Sequence, residues 1–206
     1  MAQSPILEAR PLLLGSGSPR RRDILTGLGL PIVQRPPGSD ETVLASEAPE
    51  AFLERVAQMK LDDVLGRTDL PDHAAVLVAD TIVQIEQEII GKPANVDGAE
   101  ALLERLLGRD HTVKTRYVLQ AADGRRRART VATRVCMRSV TPEIRRRYAE
   151  TGEGLDKAGA YAAQGLGAFL IESIHGSYTN VVGLPACEVV SDLFELDLLV
   201  HFPAVA

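Results

Sequence analysis

The most informative stretch of the sequence is Leu12-Leu13-Leu14-Gly15-Ser16-Gly17-Ser18-Pro19-Arg20-Arg21-Arg22. Its order predicts a short buried strand, a loop of small residues and a helix that begins at Pro19. Ser18 suits the N-cap position, and proline suits the first helical position because the N–H that it lacks would be unpaired there. Apolar residues then recur at helical spacing, and Gly29 can end the helix in the left-handed conformation. The stretch therefore predicts a strand–loop–helix unit.

The charges at the start of this helix are unusual. A helix N-terminus carries partial positive charge, so each arginine in the first turn costs about 0.3–1 kcal/mol. Backbone N–H groups, the hydroxyls of Ser16 and Ser18, and the guanidinium groups of Arg20 and Arg21 would together attract a phosphate group. The alternative is a basic helix start that is merely solvated.

The composition is that of a globular protein, with 206 residues, of which 45% are hydrophobic and 25% charged. We predict a single domain over residues 1–206. The net charge of −5 argues against a nucleic-acid-binding protein, which would need a basic face.

Targeting signals and cysteines indicate the compartment. No apolar run approaches the roughly 20 residues of a membrane span, and residues 1–10 lack the pattern of a signal peptide. We therefore expect a cytoplasmic protein that does not bind membranes. Cys136 and Cys187 lie among apolar residues, which predicts two buried free thiols in a reducing compartment.

Hydrophobic spacing predicts alternating strands and helices along the rest of the chain. Ala75-Val76-Leu77-Val78-Ala79 is a continuous apolar run, as expected of a strand that is covered on both faces, and it continues through Asp80-Thr81 to Ile85. Further strands are predicted at 88–90, 111–121, 127–140 and 168–174, and helices at 49–64, 97–107, 141–152 and 185–199. Asp97 with Glu100 would form a capping box at the start of the second of these helices. Because hairpins intervene, we expect an α/β fold with a mixed twisted sheet and helices packed on it.

Two carboxylates are candidates for the chemistry. Asp80 interrupts the most apolar strand, where an ionised carboxylate is costly unless it is paired, hydrogen-bonded or bound to a metal. Alternatively, Asp80-Thr81 simply begins a turn. Glu41 follows a loop rich in turn formers and by itself would be taken for a surface acid. Mg²⁺ sites combine one or two carboxylates with waters and substrate phosphates, and such a site can activate an attacking water.

Lysine is rare in this chain, since 19 of its 23 basic residues are arginine. A compact ammonium and a guanidinium are not interchangeable at a phosphate site, which directs attention to Lys60, Lys92 and Lys157. Lys92 lies in the predicted tight turn Gly91-Lys92-Pro93, where the alternative is an exposed turn lysine. The four histidines lack metal-ligand spacing.

A glycine-rich stretch near residue 160 combines charge with small side chains. Asp156-Lys157-Ala158-Gly159-Ala160-Tyr161 would allow a ligand to approach the backbone closely. Gln164 follows it, and an amide both donates and accepts hydrogen bonds, as the edge of a nucleobase does. This stretch is therefore a candidate for base recognition.

Taken in order, these motifs resemble those of the Maf family of nucleotide pyrophosphatases. The resemblance covers residues from about 12 to 196. Its motifs are Ser16-Gly17-Ser18-Pro19-Arg20-Arg21, Ala79-Asp80-Thr81, Gly91-Lys92-Pro93, Asp156-Lys157-Ala158-Gly159-Ala160-Tyr161, Gln164-Gly165 and Val182-Gly183-Leu184-Pro185, with weaker matches at Glu41 and Lys60. Gly15 and Ala163 depart from the family, in which alanine and isoleucine are commoner at these places.

The resemblance implies a fold like that of inosine triphosphate pyrophosphatase, with two lobes flanking a cleft. It implies hydrolysis of a nucleoside triphosphate between its α and β phosphates, a requirement for a divalent cation (Mg²⁺ or Mn²⁺) and commonly a homodimer. It implies that Asp80 is the catalytic proton acceptor and that Glu41 and Asp80 bind the metal. The residues that it implies for substrate binding are Ser16, Ser18, Arg20, Arg21, Lys60, Lys92, Asp156 and Lys157.

Base preference depends on three residues. Arg20, Thr81 and Gln164 resemble the branch of the family that acts on dTTP and UTP. The alternatives are a 7-methyl-GTP pyrophosphatase of the same family and a regulator of septation that senses nucleotides without hydrolysing them. The presence of Asp80 with a full set of basic residues favours an enzyme, because a sensor has no need of a general base.

Overall fold

The computed structural model of the chain describes residues 6–39 and 41–202. The strands in these residues are β1 (Leu12–Gly15), β2 (Ile32–Gln34), β3 (Ala75–Ile85), β4 (Glu88–Ile90), β5 (Asp110–Ala121), β6 (Arg126–Met137) and β7 (Ile171–His175). The α-helices are α1 (Pro19–Gly27), α2 (Pro49–Leu65), α3 (Val96–Leu106), α4 (Pro142–Glu150), α5 (Tyr178–Val182) and α6 (Ala186–Glu195), and short 3₁₀ helices cover Ala158–Ala160 and Gly165–Leu170. No helix within the described ranges is long and apolar enough to cross a membrane.

The strands form a mixed sheet, as the sequence predicts. Their order is β2-β1-β3-β5-β6-β7, and β4 pairs with β3 off this path. β1 is parallel to both β2 and β3, whereas β4 is antiparallel to β3 and β7 is antiparallel to β6. The predicted α/β fold with helices around a mixed sheet is therefore confirmed.

The chain divides into two compact units. Of the described residues, 6–39, 41–80, 115–130 and 183–202 form the first unit, and 81–114 and 131–182 form the second. The boundary falls within β3, between Asp80 and Thr81.

In the first unit, β1 and the start of β3 are buried along their whole length. Residues of one face join a core cluster with α6, which includes Leu12, Leu14, Leu77, Val189 and Leu193. Residues of the other face pack with α2 in a cluster that includes Leu13, Val76, Val78, Leu61 and Val64. Burial of both faces explains why this part of β3 reads as a continuous apolar run.

The second unit has its own core. Helix α3 contributes Leu103 and Leu106, which are completely buried. They belong to a cluster that also contains Val113, Val135 and Tyr161. This packing fixes the glycine-rich stretch after α4, because Tyr161 lies within it.

Most element boundaries agree with the sequence, but β6 ends at Met137 rather than at residue 140, β2 and α5 were not predicted, and three further points differ. Asn95, not Asp97, caps α3, because its side chain accepts a hydrogen bond from the Gly98 N–H. The strand predicted at 168–174 begins only at Ile171, since Gly165–Leu170 forms a 3₁₀ helix. The helix predicted at 185–199 ends at Glu195. Asn95 and Gly165 provide the local turn chemistry at the first two boundaries, and Asp197, with φ of 56°, follows the end of α6.

The two cysteines are free thiols, as predicted, but the prediction that both are buried is wrong. Cys136 is half-buried on β6, and Cys187 is exposed near the start of α6. Apolar neighbours in sequence do not guarantee burial, because in helices and strands adjacent residues point to different faces.

Candidate active site

The loop after β1 is held by a buried arginine. Arg21 and Ser16 are 8% and 5% exposed. Arg21 Nη1 donates to Ser16 Oγ over 3.0 Å, and its Nε donates to the Gly183 carbonyl over 2.8 Å. The Ser18 N–H also donates to Ser16 Oγ, over 3.2 Å. Ser16 Oγ therefore accepts hydrogen bonds from both the N-cap residue of α1 and the Arg21 side chain. The Arg21 guanidinium has a structural role, because it connects this loop to the Gly183 carbonyl.

The start of α1 differs in one detail from the sequence prediction. Ser18 occupies the N-cap position with an extended backbone and Pro19 follows at the first helical position, but the Ser18 side chain caps no N–H of the helix. The predicted left-handed Gly29 is confirmed, with φ of 75°.

Asp80 is paired with a buried lysine. Lys60 Nζ lies 2.7 Å from Asp80 Oδ1 and 2.7 Å from Glu41 Oε1. The side chains of Lys60 and Asp80 are only 5% and 9% exposed, whereas that of Glu41 is 46% exposed. The compensation that a buried Asp80 requires is therefore supplied by α2.

Lys60 reaches this position because it occupies the apolar face of α2. It follows Val56 and precedes Val64 at four-residue spacing, and both valines are buried. Residues four apart lie on the same face of a helix, so the Lys60 stem is buried with them. A lysine within such a stripe is the sequence signal that identifies it.

Arg21 belongs to the same electrostatic environment. Burial lowers the pKa of Arg21, and the carboxylates of Asp80 and Glu41 oppose that shift without cancelling it. Arg20 adds a smaller shift in the lowering direction. The first unit thus brings together Arg20, Arg21, Glu41, Lys60 and Asp80.

The loop that carries Glu41 is attached, on both sides of Glu41, to α2 and to Arg67 just after that helix. Before Glu41, the Gly38 N–H donates to Asp63 Oδ2 over 3.0 Å, and Arg67 Nη2 donates to the Pro36 carbonyl over 2.6 Å. After Glu41, Arg55 Nη2 donates to the Thr42 carbonyl over 3.0 Å. Asp63, Arg67 and Arg55 were not among the residues that the sequence singled out.

The structure brings Glu41 and Asp80, the two carboxylates predicted to bind a divalent cation, to a common partner. Both carboxylates contact one cationic atom, Lys60 Nζ, so the place between them already accommodates positive charge. Carboxylate oxygens are the ligands that Mg²⁺ and Mn²⁺ prefer. Residues 6–39 and 41–202 contain no group of three or more His, Cys, Asp or Glu side chains placed to hold a metal. Two carboxylates still suffice where substrate phosphates and waters complete the shell.

In the second unit, the structure brings the turn of Lys92 to the glycine-rich stretch. The Gly159 N–H donates to the Gly91 carbonyl over 3.1 Å. Lys157 Nζ donates to the Glu153 carbonyl over 2.6 Å and to Asp156 Oδ1. The side chains of Lys92 and Asp156 are exposed, and that of Lys157 is half-buried. Two predicted binding segments are therefore adjacent within this unit.

Gly159 is required by this arrangement. It has φ of 74°, and a Cβ atom there would lie 3.1 Å from Leu106 Cδ1 and 3.2 Å from Val83 Cγ2. Only glycine combines that conformation with so close an approach.

Tyr161 is held by a histidine that sequence spacing alone did not explain. His111 Nε2 lies 2.7 Å from the Tyr161 hydroxyl, and the rings meet edge to face with centroids 5.4 Å apart. Burial lowers the pKa of His111 to about 4, although Asp110 opposes the shift. His111 is therefore neutral at physiological pH, and its buried ring forms a hydrogen bond with the Tyr161 hydroxyl.

Thr81 and Gln164 also belong to the second unit. Thr81 is half-buried on β3, immediately after Asp80. Gln164 is exposed and extended, at the residue before the 3₁₀ helix Gly165–Leu170. The geometry gives Gln164 an accessible amide, and its assignment to base recognition stays a prediction.

Comparison with known proteins agrees with the sequence motifs. Residues 11–196 match the family model described as Maf-like protein. The chain is 42% identical over 188 residues to the dTTP/UTP pyrophosphatase of Nitratidesulfovibrio vulgaris, covering 90% of this chain and 87% of the relative. It is 41% identical over 189 residues to the dTTP/UTP pyrophosphatase of Hahella chejuensis, covering 92% and 94%.

Among solved structures, the Ham1 protein of Staphylococcus aureus aligns with a TM-score of 0.49 at 12% identity, over 90% of this chain and 98% of that one. A dITP/XTP pyrophosphatase of Mycobacterium abscessus aligns with a TM-score of 0.43 at 12% identity, over 92% and 98%. The family match spans most of the sequence, and the two pyrophosphatases that share about two-fifths of its residues cover nine-tenths of it. The chain therefore belongs to the Maf family.

Proposed function

We propose that this protein hydrolyses nucleoside triphosphates between the α and β phosphates, releasing the monophosphate and pyrophosphate, with dTTP and UTP preferred. The observation that carries the proposal is the contact of Lys60 with both Asp80 and Glu41 at 2.7 Å, beside the arginines of α1. The names of the relatives described above support the same reaction and substrates.

Asp80 is assigned as the general base. Its Oδ1 is held by Lys60, so the proposal gives Oδ2 to the attacking water. An ionised carboxylate is the form that can accept a proton from water. A general base of this kind contributes about 10²–10⁴-fold to the rate.

The phosphate chain is assigned to the cationic and hydroxyl groups. Arg20 and Arg21 stand at the N-terminus of α1, where backbone N–H groups and guanidinium groups favour anions together. Ser16 and Ser18 contribute hydroxyls to the same loop. Lys92, Lys157 and Asp156 are assigned to substrate binding from the family motifs.

Glu41 and Asp80 are the residues that would hold Mg²⁺ or Mn²⁺. When bound, such an ion neutralises phosphate charge and polarises the reacting phosphorus. The contacts of Lys60 with both carboxylates support this assignment, because they bring the two side chains to one cationic atom.

Base preference is assigned to Arg20, Thr81 and Gln164. The amide of Gln164 can accept from N3–H and donate to a carbonyl of uracil or thymine. A site built to hydrogen-bond one base leaves its own groups unpaired when another base enters, and this penalty gives discrimination.

A triphosphate screen with product identification tests the proposal. The purified protein is given UTP, dTTP, GTP and 7-methyl-GTP with Mg²⁺ or Mn²⁺, and products are separated by ion-exchange chromatography. We expect monophosphate and pyrophosphate as primary products, with kcat/KM highest for UTP and dTTP. Diphosphate and orthophosphate as primary products would overturn the reaction. Preference for 7-methyl-GTP would overturn the base assignment, and tight binding without turnover would indicate a sensor.

A further inference from the structure

The segment that carries Gln164 is fixed by one carboxylate. Glu153 Oε1 accepts a hydrogen bond from the Leu166 N–H over 2.9 Å, and Oε2 accepts one from the Gly167 N–H over 2.7 Å. The Tyr148 hydroxyl donates to the same Oε2 over 2.8 Å. Both carboxylate oxygens of Glu153 therefore accept hydrogen bonds from backbone N–H groups, which belong to the second and third residues after Gln164.

Tyr148 connects this carboxylate to the other end of the segment. Its hydroxyl also accepts from the Ala162 N–H over 3.1 Å. Ala162 lies two residues before Gln164, so hydrogen bonds hold the chain on both sides of the glutamine. Tyr148 itself is buried in the core of the second unit.

The glycines around Gln164 show how close this packing is. A Cβ atom at Gly165, where φ is 68°, would lie 2.3 Å from Glu153 Oε1. A Cβ atom at Gly167 would lie 2.5 Å from the Tyr148 hydroxyl oxygen and 2.3 Å from the Ala162 carbonyl oxygen. Glycine at both positions lets the backbone reach the carboxylate.

Glu153 is anchored in turn by its own backbone. Its N–H donates to Thr151 Oγ1 over 3.2 Å, and its carbonyl accepts from Lys157 Nζ over 2.6 Å. Burial raises the pKa of Glu153, but the Leu166, Tyr148 and Gly167 hydrogen bonds and the charge of Lys157 outweigh it, so the pKa lies below its usual range. The carboxylate is thus ionised at neutral pH, the form that accepts all three hydrogen bonds.

We propose that Glu153 and Tyr148 are positioning residues for base selection, which hold the backbone around Gln164 so that its amide faces the base in one orientation. The inference rests on the proposed role of Gln164 and goes beyond it, because neither positioning residue needs to touch the nucleotide. A side-chain amide on a loosely held segment would discriminate less, since ordering the loop on binding costs conformational entropy.

The test is Glu153→Gln, with Glu150→Gln as the matched control. Glutamine has only one acceptor oxygen, so it leaves one of the two N–H groups facing an NH₂ group. Glu150 is an exposed carboxylate at the end of α4, three residues before Glu153, and is paired with Arg146. We measure kcat and KM for UTP and GTP, the Ki of inorganic tripolyphosphate, and hydrogen exchange at the Leu166 and Gly167 amides.

In Glu153→Gln we expect the UTP-to-GTP ratio of kcat/KM to fall about tenfold, as the loss of a charge-assisted hydrogen bond does. The Ki of tripolyphosphate, which has no base, should stay unchanged, and both amides should exchange faster. In a Gln164→Ala background the same substitution should not change the ratio further, because the two residues act through one contact. Glu150→Gln should match the wild type in every measurement.

Tyr148→Phe gives an independent reading if Glu153→Gln does not fold, and it should lower the same ratio. A UTP-to-GTP ratio that stays at the wild-type value in a folded variant with faster amide exchange would overturn the positioning role. An equal loss of UTP and GTP turnover would also overturn it, because that is the result of a purely structural role. A wild-type protein without preference for UTP would instead overturn the proposed base assignment, and the inference with it.

Discussion

Replacing Lys60 by methionine removes the charge from the centre of the candidate site while keeping the length of the side chain. Lys60 Nζ lies 2.7 Å from both Asp80 and Glu41, and the Lys60 and Asp80 side chains are 5% and 9% exposed. In Lys60→Met the Asp80 carboxylate stays buried without its partner, whereas Glu41 remains hydrated. Breaking a buried ion pair on one side costs about 3–5 kcal/mol. We expect the free energy of unfolding to fall by this amount at neutral pH.

Urea unfolding followed by far-ultraviolet circular dichroism measures the effect, since the chain has no tryptophan to report by fluorescence. The expected loss corresponds to a midpoint lower by about 1–2 M urea. Lys92→Met is the control, because Lys92 is exposed. A surface change of this kind should stay within about 0.5 kcal/mol of the wild type.

A second substitution separates loss of charge from loss of packing. In Lys60→Met/Asp80→Asn both charges are absent, so we expect about 1–3 kcal/mol of the lost stability to return as coupling between the two sites. If Lys60→Met unfolds within about 1 kcal/mol of the wild type, or if Asp80→Asn restores nothing, the ion pair does not have the stabilising role argued above.

The other predictions concern pH and packing. The pKa of His111 is lowered to about 4 in the folded protein, against about 6.5 in the unfolded chain, so the unfolded state binds more protons between these values. The contribution of His111 to the free energy of unfolding is therefore fully present above pH 6.5 and falls by about 3 kcal/mol as the pH drops towards 4. Urea midpoints measured at several pH values should show this decrease in the wild type and in His201→Gln. The decrease should be smaller in His111→Gln. A Cβ atom at Gly15 would lie 2.6 Å from Val78 Cγ1 and 2.9 Å from Val64 Cγ2, so Gly15→Ala should destabilise by about 1–3 kcal/mol. Adding Val78→Ala should recover part of this loss in thermal unfolding, and Gly27→Ala, which meets no atom within 4 Å, should not destabilise.

Local sequence patterns were sufficient to predict the two elements that carry Lys60 and Asp80. The strand β3 is buried on two faces and therefore has a continuous apolar run. The helix α2 is buried on one face and therefore has apolar residues at helical spacing. These different patterns predicted the two elements. The cost of burying Asp80 indicated that a partner must exist. The identity of that partner did not follow from the Asp80 motif, since Lys60 lies 20 residues earlier on another element.

The support around Gln164 could not have been predicted from spacing. Glu153 contacts backbone N–H groups of Leu166 and Gly167, and every residue except proline carries such a group, so no side-chain pattern marks the contact. The same reason hid the attachment of the Glu41 loop, in which Arg55 and Arg67 bind carbonyl oxygens. For Cys187 the error came from treating apolar neighbours as evidence of burial, although the residue lies on an exposed part of α6.

We propose that Asp80 accepts the proton of the water that cleaves the triphosphate. Turnover of UTP by Asp80→Asn, measured as pyrophosphate release together with the Kd of a non-hydrolysable UTP analogue, tests it most directly. Asp69→Asn, at an exposed position of the same unit, is the control. We expect kcat to fall roughly 10²–10⁴-fold in Asp80→Asn while nucleotide affinity is retained, because the phosphate-binding cations are still present. Turnover of Asp80→Asn near the wild-type rate would contradict the claim and show that another group activates the water.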